Sequence, residues 1–159
     1  MTRIATTEPS LGGRDTLLGG AGQDWILGGA DRDTVRGGDG RDGMLGDNGL
    51  LDFIADGVAG TLDVMASTDP AWGDADSLFA DAGDDVVFGG TGDDEIRGGA
   101  GRDVLLGDHG RLDFSLPPNQ NVLSIFTGLG LGAGNDIVHG DSGDDFLLGQ
   151  QGDDGLYGG

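Results

Sequence analysis

Apolar residues recur along this chain at a fixed spacing of nine. Windows that start at residues 10, 19, 28 and 37, at 71, 80, 89 and 98, and at 131, 140 and 149 each carry an aliphatic residue or Met at the eighth place. These residues are Leu17, Ile26, Val35, Met44, Leu78, Val87, Ile96, Leu105, Val138, Leu147 and Leu156. A period this short predicts a solenoid. Places seven to nine form a very short strand and place eight points inward, so one turn of the coil is loop, strand, loop, strand.

Places seven and nine then point outward, and alternate repeats lie on opposite faces. On one face the outward pairs are Trp25/Leu27, Gly43/Leu45, Val86/Phe88, Val104/Leu106 and Phe146/Leu148. On the other they are Thr16/Leu18, Thr34/Arg36, Ser77/Phe79, Glu95/Arg97, Ile137/His139 and Gly155/Tyr157. The first set is almost wholly apolar, and a contiguous apolar stripe is either covered or a binding surface. Leu50, Leu51, Phe53, Ile54, Phe114, Leu116, Val122, Leu123, Ile125 and Phe126, in the segments between the blocks, could fold back across it. A second copy of the chain, as a homodimer, or a neighbouring domain could cover it instead. The first cover is favoured, because loops in water have no need of so many apolar residues.

A longer period of about 61 residues overlies the short one. Gly40–Phe53 matches Gly101–Phe114, and Ile4–Pro9 corresponds to Met65–Pro70. The chain is expected to be one domain, 1–159, of supermodules 4–64, 65–124 and 125–159, the last truncated, with nonapeptide blocks 10–45, 71–106 and 131–157. Segments 46–54 and 107–115 read as a last roll turn in each block. The lead-in strands read as further half-turns that keep the phase of the coil. Excursions near 55–64 and 115–124, the second with Pro117 and Pro118, read as exposed loops or hairpin tips. Asn48 and His109 share a place in the linking motif, where a left-handed turn role suits both types.

The first six places read Gly-Gly-x-Gly-x-Asp. The sixth is Asp15, Asp24, Asp33, Asp42, Asp76, Asp85, Asp94, Asp103, Asp136, Asp145 and Asp154, eleven without exception. Calcium takes six to eight oxygens from carboxylates and backbone carbonyls, at about 2.3–2.6 Å. A glycine-rich loop can curl its carbonyls inward, and the Asp adds fixed charge. An ion could then sit between loops of successive turns, and the eleven Asp residues are the candidate metal ligands. Asp31 and Asp74 replace the place-four Gly, and Ser10-Leu11, Ala71-Trp72 and Ala80-Asp81 replace the leading pair, so the first site of each block is the least regular.

This repeated spelling closely resembles the RTX (repeats-in-toxin, haemolysin-type) calcium-binding family. The resemblance implies an all-β fold, a parallel β-roll with looped or hairpin excursions between blocks. It also implies several bound Ca2+ ions, disorder without calcium, and a place in a large secreted bacterial protein.

Composition agrees. Acidic residues number 29 against 8 basic ones, all Arg, for a net charge of −21. Nucleic acid is a poor partner for such a surface, because phosphate contacts need a basic patch. Divalent cations suit it, since unscreened carboxylates repel one another. There is no Cys, hence no disulfide framework, and calcium would take that stapling role. No apolar run approaches the roughly 20 residues of a membrane span. Met1–Ile4 lacks a signal-peptide core, and Gly158-Gly159 would open a twelfth repeat, so the chain reads as part of a longer array exported by a signal elsewhere.

No enzyme is expected. Gly38–Gly43 spells G-x-G-x-x-G, but the nonapeptide resumes after it where a nucleotide fold needs a helix. No loop ends in the Glu of an EF-hand, and Ser142 is not in a nucleophile elbow. Two readings of function remain. One is a calcium-binding structural module, a scaffold or spacer beside the neighbouring domains of a secreted, extracellular parent. The alternative is an adhesin or surface-layer binding module that uses the apolar face or the inter-block loops.

Overall fold

The computed structural model describes residues 3–55, 57, 61–114, 124–127 (backbone only) and 132–159. In chain order the strands are β1 (Arg3–Ala5), β2 (Thr16–Ala21), β3 (Trp25–Leu27), β4 (Thr34–Asp39), β5 (Gly43–Leu45), β6 (Gly49–Asp52), β7 (Val64–Ser67) and β8 (Ser77–Ala82). They continue as β9 (Val86–Phe88), β10 (Glu95–Ala100), β11 (Val104–Leu106), β12 (Gly110–Asp113), β13 (Ser124–Thr127), β14 (Ile137–Ser142), β15 (Phe146–Leu148) and β16 (Gly155–Tyr157).

Each nonapeptide contributes its places seven to nine to one of two parallel sheets. A six-stranded sheet has the order β16-β14-β10-β8-β4-β2, and a five-stranded sheet the order β15-β11-β9-β5-β3. Register is kept place for place, with Val35 opposite Leu78 and Leu78 opposite Ile96. The place-eight side chains Val35, Met44, Leu78, Val87, Ile96, Leu105 and Val138 fill the space between these sheets and are fully buried. Alternate repeats therefore do lie on opposite faces of an all-β parallel β-roll.

The inter-block segments do not form roll turns, and here the expectation for 46–54 and 107–115 is corrected. Strand β6 runs antiparallel to both β1 and β7, and β12 runs antiparallel to β7 and β13. They make a third sheet, β1-β6-β7-β12-β13. The lead-in strands belong to it and not to the roll. The physical reason lies in Leu51 and Phe53, two residues apart and both buried. That alternation gives a strand one apolar face, which suits packing on another sheet. The roll keeps its phase more simply than expected: β5 is followed by β8 with no half-turn between. The excursion expected at 55–64 holds exposed Ala55, Gly57 and Thr61, but Asp63 beside β7 is buried. Leu116, Val122, Leu123, Pro117 and Pro118 lie outside the described residues.

This third sheet covers the apolar stripe. Leu45, Val86, Phe88 and Leu106 of the roll pack with Leu51, Phe53, Met65 and Leu112 of the cover, with Trp25, Leu27, Phe114 and Leu148 half-buried around them. Ile125 pairs in register with Leu112, while its side chain and that of Phe126 lie outside the described residues. The stripe emerges at one edge, where Phe146 is 60% exposed. The opposite face of the roll is wet and mixed, with Arg36 over the Phe79 ring at 4.5 Å and His139 stacked on Tyr157.

Gly43 interrupts the stripe for a packing reason. The Trp25 indole lies across it, where a Cβ would stand, and meets Phe53 edge-on with ring centroids 5.8 Å apart. Gly43→Leu should expel that ring and lower stability in calcium by about 1–3 kcal/mol. Urea unfolding of the calcium-loaded chain measures this, and an unchanged midpoint would contradict the packing.

Candidate metal centre

The place-six Asp residues form two rows, one along each edge of the roll. In each row the backbone N–H of one Asp donates to Oδ1 of the Asp in the next turn. One row runs Asp15, Asp33, Asp76, Asp94, Asp136 and Asp154, at 2.7–3.0 Å. The other runs Asp24, Asp42, Asp85, Asp103 and Asp145, at 2.7–2.9 Å. At nine of the eleven places the carboxylate folds back over the leading Gly of its own loop, while the loops of Asp15 and Asp85 begin with Ser10 and Ala80. A Cβ on Gly19 would stand 2.8 Å from Asp24 Oδ2, so a side chain at that position would crowd the carboxylate. Outside the loops that open the blocks, places two and four have positive φ, and the non-Gly residues there, Asp31, Asp81, Asp141 and Gln150, keep it at 67–78°. Asp is among the few non-Gly types that tolerate this region.

The loops that open the second and third blocks are composites. Asp76 Oδ2 lies against Gly46, and Asp136 Oδ2 against Gly107. The leading glycine of those loops therefore comes before the insertion and the Asp after it. Ala71-Trp72 is thus no degenerate Gly-Gly; the true place one is Gly46.

Oδ2 of Asp24, and of Asp33, Asp42, Asp76, Asp85, Asp94, Asp103, Asp136 and Asp145, whose Oδ1 is engaged, is buried without a hydrogen-bond partner. Only the end residues Asp15 and Asp154 escape. A buried unpaired carboxylate oxygen is costly unless something positive meets it. Burial, and then the charges of Asp76, Asp136 and Asp47, push Asp94 up to about 10. Burial dominates likewise at Asp76, pushed up to about 8, and at Asp85 and Asp136, pushed up to about 7. A row of orphaned, hard anionic oxygens fits a divalent cation of the calcium type. Among the described residues no three His, Cys, Asp or Glu side chains converge into a ready cluster, so backbone carbonyls of the loops would complete the shell.

Four residues of the linking motif belong beside these rows, though sequence reading gave them no such place. Asp47 Oδ2 accepts the Thr91 N–H, and Asp108 accepts those of Gly134 and Gln151. Asn48 and His109 have no positive φ, so the left-handed turn is not their role. Instead Asn48 Nδ2 donates to the Pro9 and Trp72 carbonyls, both at 3.1 Å. His109 Nε2 meets Thr91 Oγ1 at 3.0 Å, and that hydroxyl reaches the Pro70 carbonyl. Burial pushes the His109 pKa down, which keeps its ring neutral. The recurrence of Gly-Asp-(Asn/His)-Gly was the available signal. Asp63 also departs from expectation. It falls in the excursion near 55–64 that reads as an exposed loop, yet it is 2% exposed and its carbonyl accepts the Phe114 N–H. Asp56 lies outside the described residues.

Among the described residues no helix is long and apolar enough to cross a membrane. No characterised protein matches the chain. The model of the RTX calcium-binding nonapeptide repeat matches residues 11–44, 73–110 and 131–159, well over half of the length. That repeat is a structural calcium-binding unit which typifies secreted bacterial proteins, and several copies imply several ions. With its period, its β-roll and its paired Asp rows all in agreement, the chain belongs to the RTX calcium-binding nonapeptide repeat family.

Proposed function

We propose that the chain is a calcium-driven folding module that serves as a scaffold or spacer in a larger secreted protein and has no catalytic role of its own. Residues 1–159 act as one domain, with the ions held along both rows. The ligands are Asp15, Asp24, Asp33, Asp42, Asp76, Asp85, Asp94, Asp103, Asp136, Asp145 and Asp154, together with loop carbonyls. The observation that carries this reading is the unbroken series of buried, unpartnered Oδ2 atoms at the interior places. The scaffold reading gains over the adhesin reading because the chain's own third sheet covers most of the apolar stripe. For the same reason we expect a monomer in calcium.

The test is a pair of substitutions. Asp94→Ala removes a central carboxylate, whereas Asp144→Ala removes an exposed place-five one. The first should raise the calcium concentration for half-folding about 10-fold or more, equivalent to about 1.4 kcal/mol or more; the second should leave it within about 2-fold. Calcium titrations followed by circular dichroism read both. Equal midpoints for the two variants would overturn the ligand assignment.

A further inference from the structure

We propose that Asp47 is a calcium ligand outside the nonapeptide pattern, at the root of the first inserted hairpin. The inference rests on the calcium reading above. Asp47 is only 2% exposed. Its Oδ2 accepts the Thr91 N–H, but its Oδ1 is buried without a partner. The carboxylate packs on the backbone of Gly73 and Gly90, in the composite turn that Asp76 completes. The charges that couple to it are carboxylates, those of Asp33, Asp76 and Asp94. A buried carboxylate with a free oxygen among like charges calls for a cation, and loop carbonyls would complete its shell.

The second linking motif supplies an internal control. Asp108 holds the corresponding place, but it accepts two backbone N–H groups, from Gly134 at 3.1 Å and Gln151 at 2.7 Å, and has no orphaned oxygen. The Asp74 N–H also approaches the Asp47 carboxylate, so both acids tie down later loops, but of the two only Asp47 keeps a buried oxygen without a hydrogen bond of its own.

The position gives the ligand its consequence. Asp47 lies on the outgoing limb of the insertion, before β6, and Asp76 on the returning limb, after β7. An ion shared between them closes the root of the hairpin. Clips that close long loops act on the unfolded chain as well as the folded one. Calcium would then seat the cover sheet in addition to ordering the roll.

The experiment counts ions bound to the full chain by equilibrium dialysis against calcium. Asp47→Asn keeps the shape and an acceptor for Thr91 but loses the charge. It should bind one ion fewer than the wild type at the concentration that saturates the wild type, while Asp108→Asn keeps the full count. An unchanged count and affinity in Asp47→Asn overturns the proposal and leaves the calcium reading intact; a wild-type chain that takes up no calcium overturns both. If Asp47→Asn does not fold at any calcium concentration, a terbium-loaded crystal of the wild type decides. An anomalous peak bonded to Asp47 Oδ1 supports the assignment, and a carboxylate that meets only N–H groups ends it.

Discussion

Chelating calcium at about pH 8 should abolish the β-sheet circular dichroism of this chain and open it to protease. The roll has little else to hold it in that state. Each nonapeptide buries one side chain between the two roll sheets, only one of those sheets buries more beneath the cover, and the chain carries 36 glycines, the residues that lose most backbone freedom on ordering. Its carboxylates also oppose folding when no ion is present. Burial raises Asp103 to about 6, Asp85 and Asp136 to about 7, Asp76 to about 8 and Asp94 to about 10, from 3.8. A raised folded-state pKa means that the folded chain holds more protons than the unfolded one between these values. The stability of the metal-free roll therefore falls as pH rises through that window, and recovers as pH drops towards about 4. Calcium reverses the sense, because it binds the ionised carboxylate and competes with the proton. The calcium midpoint should lie at about 10⁻⁴–10⁻³ M near neutral pH, the range of extracellular modules. The collapse on chelation should be complete at about pH 8 and weaker at about pH 5. A chain that stays β-rich and protease-resistant in excess chelator at about pH 8 would sink the idea that ions drive its folding.

The parts of the fold that sequence made legible are those set by local repetition. Place eight turns inward in every block because one short strand per nonapeptide leaves it no other side, so Val35, Leu78 and Ile96 could be placed without coordinates. The two faces followed from counting alternate repeats, and the apolar one is indeed a single sheet. What local pattern could not reveal was register across the insertions. Gly46-Asp47-Asn48-Gly49 looks like another nonapeptide opening, since glycine spacing is a local property. Its partner Asp76 is set by which turn the chain returns to, and that is a long-range contact. The same limit hid Asp47, whose chemistry depends on Gly73, Gly90 and Thr91 from two later loops. It also made Asp63 read as a loop acid, when its backbone ties β6 to Phe114.

Replacing Phe88 by Glu should prevent folding at any calcium concentration. Phe88 sits mid-row in the apolar sheet, 0% exposed, between Leu45 and Leu106 and beneath Leu51, Phe53, Met65 and Leu112. A Glu there would lose the ring's packing, about 3–5 kcal/mol for a large-to-small change in a core. Its carboxylate would be desolvated as well, among apolar side chains that offer it no counter-charge. Together these approach the whole stability of a domain, about 5–15 kcal/mol. Phe146→Glu tests the same chemistry on the same sheet without the cover. Phe146 is 60% exposed, so that variant should fold with a calcium midpoint near the wild type. The contrast separates a self-made cover from a borrowed one. If a second chain were the lid, Phe88→Glu would turn a dimer into a folded, soluble monomer, and light scattering in calcium would show the change in mass. With the lid built from β6, β7 and β12 of the same chain, no such monomer exists to be released, because the roll and its cover form together.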